Sequence, residues 1–302
     1  MKSGGSHSRI VDGQMSWLIT GANGQLGRAL SLVLNERGIN NICLGSKDLD
    51  ITISNDVVAK MCSIIPSVII NAAAWTNVDG AELDPAGAHA VNAQGAANLA
   101  RAAKLLGAVF AHISTDYVFS GIRTQPWQED DLRAPISVYG ESKAAGEVAV
   151  LNEYSDRTYV FRTAWLYSPW GRNFVKTIIK TALEEDKISV VDDQFGQPTS
   201  AIDLANQIVD SILSEIPFGI YHATNSGECS WFDLAKEIFQ LSGISVSRVV
   251  PVSTSTHTQM ARRPSYSVLG HDSWIDLPPM RDWRIALVES FDQILLAVEN
   301  EK

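Results

Sequence analysis

The chain has 302 residues, a formal net charge of -10 and a hydrophobic content of 45%, enough to bury the core of one large domain or of one domain carrying a smaller lobe. The negative balance has the wrong sign for attraction to nucleic-acid phosphates or anionic lipid, and no apolar run approaches the roughly 20 residues of a membrane span, so neither nucleic acid nor membrane is an expected partner. Cys43, Cys62 and Cys229 are odd in number and widely spaced, which argues against a disulfide framework or zinc site and for a reducing, cytoplasmic compartment.

Residues 1–14, MKSGGSHSRIVDGQ, are small and polar with no apolar h-region, and read as a disordered leader or tag rather than a secretory signal. A first strand is predicted at Trp17–Thr20. GANGQLG follows at once, placing Gly21, Asn23, Gly24, Gln25, Leu26 and Gly27 between that strand and a helix over Leu26–Glu36. Glycines at this spacing let the backbone turn sharply and approach a pyrophosphate, while the helix N-terminus supplies free amides and a positive dipole end. This is the signature of a dinucleotide cradle.

A second strand over Ile42–Leu44 ends in Gly45, Ser46 and Lys47. A carboxylate at that tip would accept the ribose 2'-hydroxyl of NAD and repel a 2'-phosphate. With Ser46 and Lys47 there instead, NADPH is favoured, with NADH as the alternative, and Asp50 and Ile51 are placed to flank the adenine. The strand Val68–Asn71 runs into Ala72, Ala73 and Ala74, small enough for the nicotinamide ribose to lie against backbone. An alanine-rich helix over Ala86–Leu106 leads to a strand at Val109–Ser114 and then to Thr115, Asp116 and Tyr117. A helix over Tyr139–Glu153 and a strand over Tyr159–Thr163 complete the regular alternation, which predicts an α/β fold: a Rossmann-type, doubly wound parallel sheet. Beyond it come helices at Phe174–Leu183, Ile202–Leu213, Phe232–Leu241 and Arg284–Glu299, and a strand at Gly219–His222. Breaks at Pro251–Thr258 and at Pro278 and Pro279 mark a smaller, loop-rich lobe. The expected division gives residues 15–166, with roughly 200–223, to the dinucleotide domain, and 167–199 with 224–302 mainly to a C-terminal substrate-binding lobe.

Tyr139 and Lys143 are four residues apart, on one helical face. A carbonyl reductase needs such a pair, because negative charge building on the substrate oxygen must be hydrogen-bonded and protonated. The Lys143 ammonium is expected to lower the Tyr139 pKa while also holding the nicotinamide ribose, and Thr115, at a strand's carboxyl end, to donate a second hydrogen bond to the carbonyl.

ITGANGQLG, VIINAAAWTNVDGAE, HISTDYVFSG, YGESKAAGE, FRTAWLY, GRNFVKT, VVDDQFGQPTS and GIYHATNSGECSW resemble the extended short-chain dehydrogenase/reductase family, and within it the dTDP-4-dehydrorhamnose reductases, over nearly everything after Met15. The resemblance implies reduction of a dTDP-sugar, dTDP-4-dehydro-L-rhamnose, at its 4-keto group, with Tyr139 as proton donor, Lys143 as its partner and Thr115 orienting the carbonyl. It also implies that Asp116, Tyr117, Trp165, Asn173 and Gln197 line the sugar-nucleotide pocket, and that Arg262 or Arg263, ahead of Pro264, meets the diphosphate. Some members of the family are dimers bridged by magnesium on glutamates. Ala29 and Ile202 stand at those positions here, so no metal is expected and a monomer is preferred over a homodimer. The same fold leaves two alternatives: a nucleotide-sugar dehydratase or epimerase, of which the dehydratases would carry a second carboxylate after Thr115 where Tyr117 follows Asp116, and a non-catalytic NADP-binding regulatory subunit.

Overall fold

A computed structural model describes residues 16–256 and 259–301; the reading of residues 1–14 as a leader lies outside them. In chain order the elements are β1 (Trp17–Thr20), α1 (Gln25–Glu36), β2 (Asn41–Leu44), α2 (Ser54–Ile64), β3 (Val68–Asn71), α3 (Val78–Leu83), α4 (Pro85–His89), α5 (Ala96–Leu106), β4 (Val109–Thr115), α6 (Val138–Tyr154) and β5 (Thr158–Thr163). They continue with β6 (Leu166–Tyr167), α7 (Phe174–Glu184), β7 (Ile188–Val191), β8 (Phe195–Gly196), β9 (Thr199–Ser200), α8 (Ala201–Leu213), β10 (Gly219–His222), β11 (Cys229–Ser230), α9 (Trp231–Leu241), β12 (Val249–Val252) and α10 (Trp283–Glu299).

Strands β1, β3 and β5 are buried along their whole length, as strands covered on both faces must be, and their mainly apolar content follows from that. The main sheet is parallel throughout, in the order β10-β5-β4-β3-β1-β2. The winding reverses between β1 and β3, and the crevice at the carboxyl ends there is where an open α/β sheet receives its ligand. On one face α1 presents Leu26, Leu30, Val33 and Leu34 to Leu204, Ile208 and Val209 of α8. On the other, Val57 and Met61 of α2 pack with Leu99 and Ala103 of α5 and Val150 of α6.

The single helix expected over Ala86–Leu106 is interrupted by a π turn at Ala90–Gly95. Asn92 in that turn accepts from the Trp75 amide (2.8 Å) and donates to the Trp75 carbonyl (3.1 Å) and the Ser142 hydroxyl (2.8 Å). A buried amide pinned from β3's exit and from α6 fixes the extra residue in the turn, a constraint periodicity does not carry. Helix α2 and the short strands β6 to β9, β11 and β12 also escaped the sequence reading, the strands because most are two residues long.

A second core gathers Val175, Ile178 and Ile179 of α7, Leu234, Ile238 and Phe239 of α9, and Trp283, Leu287 and Phe291 of α10. Trp274, Leu277 and Met280, expected in the smaller lobe, pack instead on the sheet's own core.

One polar cluster is centred on two wholly buried charges. Glu147 of α6 accepts from Arg162 of β5 through Nε (2.9 Å) and Nη2 (2.8 Å), and from Arg133 Nε (2.6 Å). Arg162 also reaches the Glu129 carbonyl (3.0 Å) and His222 Nε2 (3.2 Å). Burial alone would raise the Glu147 pKa, but the bonds and charge of Arg162, with Arg133, bring it down to about 2. Burial and the Arg162 charge lower His222 to about 3. In the unfolded chain both groups take up protons at higher pH than in the fold. Stability is therefore expected to be whole above about pH 6.5 and to fall as pH drops, first through His222 and below about 4.5 through Glu147 as well; thermal unfolding across pH checks the order. Arg162→Leu should cost about 3–5 kcal/mol in urea unfolding, since it strips a buried carboxylate of its main partner.

Candidate active site

The cradle closes because its glycines have no side chain. Gly21 has a φ of 68°, and a Cβ there would lie 2.5 Å from the Ala72 carbonyl oxygen and the Ala73 nitrogen; one on Gly27 would lie 2.4 Å from the Gly21 oxygen. Gly24 caps α1 without a side-chain hydrogen bond, and the first turn holds no acidic residue, so the leading amides and the dipole stay available to an anion. Leu26 is buried in the core, and the Asn23 amide abuts Gly45. Gln25 turns away from the loop: its side-chain oxygen accepts from Ser168 Oγ (3.0 Å) and Asn173 Nδ2 (3.0 Å).

Beside the cradle lies a cleft of about 350 Å³, lined by Gly21, Ser46, Asp50, Ile51, Ala73 and Ala74 among the predicted residues, and also by Leu49, Trp75 and Val91, which were not anticipated. The cleft sits at the β1/β3 reversal, and its small residues fit a dinucleotide. Ala72 borders it through its contact with Gly21. Lys47 is exposed on the turn after β2 and is not part of the lining. Asp48, in the same turn, accepts from the Gly45 amide at 2.8 Å.

Thr115 ends β4 at the carboxyl edge of the sheet, in register with Thr163 of β5. Tyr139 lies in the first turn of α6, whose N-cap Ser137 accepts from the Gly140 amide (3.2 Å), and Gly140 admits the Tyr117 carbonyl, which would be 2.3 Å from a Cβ there. Lys143, one turn on and buried, donates to the Ile113 carbonyl of β4 at 2.5 Å. Its pKa falls to about 8 because burial disfavours the ammonium, with the Glu147 charge opposing.

One expectation changes. Burial pushes the Tyr139 phenol up to about 12; the Thr115 hydroxyl offsets part of this and the Asp116 charge adds to it. Desolvation dominates, and the Lys143 charge expected to lower the value is not among the causes of the shift. Thr115, expected to donate to a carbonyl, directs its proton to Asp116 Oδ1 (2.9 Å) and accepts from the Tyr117 amide (3.3 Å). Asp116 is buried, and that burial raises its pKa to about 6 against the Ser267 and Thr115 hydroxyls.

A second cleft, of about 280 Å³, is lined by Tyr117, Phe174, Val191, Gln194, Trp231 and Arg263 among others. Tyr117 packs edge-on against Tyr139, ring centroids 5.5 Å apart, so this cleft adjoins the phenol. Trp165, at φ 45°, stacks on Trp231 with centroids 3.4 Å apart and planes 8° from parallel. Arg263 makes a fork with Asp79 (3.0 and 2.8 Å), while Arg262 is exposed and outside the lining. Two predicted pocket residues act elsewhere. Gln197 is buried with its amide bonded to both backbone groups of Leu269 and to Thr224; Asn173 caps α7 and joins Gln25 and the Ser168 carbonyl. Phe174, Gln194 and Trp231 were missed as lining residues, although GRNFVKT, VVDDQFGQPTS and GIYHATNSGECSW contain them.

The family described as "RmlD substrate binding domain" matches residues 15–296. The chain belongs to this family, the dTDP-4-dehydrorhamnose reductases. It is 46% identical over 281 residues to a dTDP-4-dehydrorhamnose reductase of Streptomyces griseus, covering 91% of this chain and 92% of that one. A probable dTDP-4,6-dihydroxy-2-methyloxan-3-one 4-ketoreductase of Streptomyces antibioticus is 45% identical, covering 94% and 97%. The crystal structure of the dTDP-4-dehydrorhamnose reductase of Bacillus anthracis in complex with NADP is 41% identical and superposes with a TM-score of 0.89 over 93% of this chain and 99% of that one.

In this family member the tryptophan pair depends on Gly196, because a Cβ there would lie 2.5 Å from the Trp165 ring. Gly196→Ala should displace Trp165, cost about 1–3 kcal/mol and weaken the near-ultraviolet circular dichroism of the stacked indoles. The far-ultraviolet spectrum should stay as it is; an unaltered near-ultraviolet spectrum would count against the packing described.

Proposed function

We propose that this protein reduces the 4-keto group of dTDP-4-dehydro-L-rhamnose to give dTDP-L-rhamnose, drawing on NADPH. The observation that carries the reading is the convergence of Thr115, Tyr139 and Lys143 at the carboxyl edge of β4, beside the β1/β3 cleft and next to the cleft bordered by Tyr117. Membership of the reductase family supports it, as does the absence of a second carboxylate after Thr115, where the Tyr117 ring packs on Tyr139 instead.

NADPH, when bound, supplies the hydride. Gly21, Gly24 and Gly27 would hold its pyrophosphate, Ser46 would meet the 2'-phosphate, and Ala72 to Ala74 would face the nicotinamide end. Tyr139 meets the charge that develops on the ketone oxygen and yields its proton there. A phenol pushed up to about 12 is fully protonated at neutral pH, the form a reductive donor requires, and it remains a far stronger acid than the alcohol it creates. Thr115 and Tyr117 fix the phenol's position, and Lys143 keeps a positive charge one helical turn away. Arg263 would bind the diphosphate, exchanging Asp79 for phosphate oxygens. In the same proposal residues 15–166 with roughly 200–223 carry the cofactor, and 167–199 with 224–302 most of the sugar nucleotide. In the same proposal the protein acts as a monomer, because the hydrocarbon side chains of Ala29 and Ile202 have no donor atom with which to bridge a metal.

Tyr139→Phe should lower kcat by roughly 10²- to 10⁴-fold with NADPH affinity preserved, whereas Lys143→Ala should impair both; product formation from the 4-keto nucleotide sugar and cofactor titration separate the two effects. Full turnover in Tyr139→Phe would remove the proposed donor. At saturating NADPH, kcat should hold through neutrality and decline above about pH 8, as Lys143 loses its charge. A profile flat through that range would detach Lys143 from the chemical step.

A further inference from the structure

The second cleft holds a polar group whose orientation is fixed from behind. Gln194, between β7 and β8, is only 4% exposed yet lines the cleft. Its Nε2 lies 3.0 Å from Thr254 Oγ1. That hydroxyl has one proton, and it goes to the Asp193 carboxylate. Asp193 also accepts from the Thr254 amide (2.9 Å) and from Ser253 Oγ (2.8 Å). Burial raises its pKa, but these bonds outweigh that and leave the carboxyl below its ordinary value, so it can only accept. Proton direction is therefore set along the row: Asp193 accepts from Thr254, and Thr254 accepts from Gln194. The Gln194 atom facing Thr254 must be the NH₂ group. Its carbonyl oxygen is the other end of the amide, and the bond to Thr254 is the one side-chain hydrogen bond Gln194 makes among the described residues.

The surroundings say what that acceptor meets. Phe174 and Trp231, packed on each other with ring centroids 4.4 Å apart, give the cleft one aromatic wall, Arg263 gives it a guanidinium, and Tyr117 leads to Tyr139. An aromatic wall, a cation and a neutral acceptor together suit a flat heterocycle followed by a diphosphate, and a volume of about 280 Å³ suits a single ring. We propose that Gln194 reads the base of the nucleotide sugar, its carbonyl accepting the imide N3–H of thymine or uracil. The inference rests on the reading that the substrate is a nucleoside-diphosphate sugar. Cytosine presents a bare acceptor at N3 and meets the fixed carbonyl with its lone pair, and a methyl on N3 removes the donor altogether.

The test is equilibrium binding to the full chain saturated with NADP⁺, using thymidine diphosphate, its N3-methyl derivative and cytidine diphosphate. The wild type should bind thymidine diphosphate about ten- to a hundredfold more tightly than either of the others, as expected for a buried acceptor left unpaired. In Gln194→Met that preference should shrink to about twofold or less. Thr254→Val removes the acceptor that pins the amide, so Gln194 can rotate and offer its NH₂ group; cytidine diphosphate should then gain at least about fivefold relative to thymidine diphosphate, a gain no merely structural damage produces. If thymidine diphosphate binds and its preference survives both substitutions, the role of Gln194 is overturned and the proposed reaction stands. If the wild type binds none of the three, the nucleotide-sugar reading falls as well.

Discussion

Beneath α6, the carboxylate of Glu147 takes both prongs of the Arg162 fork, with the two side chains completely shielded from water. Two charges moved out of water are compensated only when their geometry is close to ideal, so this pair tolerates little rotation or slide of the helix against β5. Glu147 is one helical turn beyond Lys143 and two beyond Tyr139, on the same face. Fixing the fork therefore fixes the azimuth of the phenol and the ammonium over the end of β4. Arg162 carries the constraint further, to the Glu129 carbonyl and to His222 on β10, so that strands, helix and the segment leading into α6 share one anchoring point.

What the amino-acid order disclosed is what depends on local geometry. The glycine spacing dictates a turn that no other residue could make, and its meaning survives because the clash at Gly21, directly after β1, involves the backbone of Ala72 and Ala73, directly after β3, at the β1/β3 reversal. The four-residue step from Tyr139 to Lys143 needs only a helix. By contrast, the direction of the Thr115 proton, the rise of the Tyr139 pKa and the engagement of Gln197 by Leu269 depend on neighbours far away in the chain or on burial, neither of which a motif encodes. Gln194 and Trp231 were invisible as partners of one cleft for the same reason: β7, α7 and α9 meet only in the second core. Asn173 shows the converse, since a polar residue inside a family motif also serves as a helix cap and a strut to Gln25, a role the motif does not display.

That strut ties the smaller lobe to the cradle. Ser168 and Asn173 spend donors on a single Gln25 oxygen, and the Trp165–Trp231 stack, seated against Gly196, continues the connection into α9. The first turn of α1 and the entry to α7 thus behave as one corner of the molecule, and the mouth of the second cleft is built outward from it.

Across that mouth, Arg263 is held by Asp79, whose side chain is 47% solvent-exposed. A partly hydrated carboxylate is a lender rather than an owner: water reclaims it readily, and separating such a pair costs on the order of 1 kcal/mol. In the meantime the loan prevents the guanidinium from folding back onto the aromatic rings or wandering into solvent. The cation is stored in a stretched, ready pose at the threshold, so in the proposed reaction the diphosphate of the substrate would meet a partner whose conformational entropy has already been surrendered.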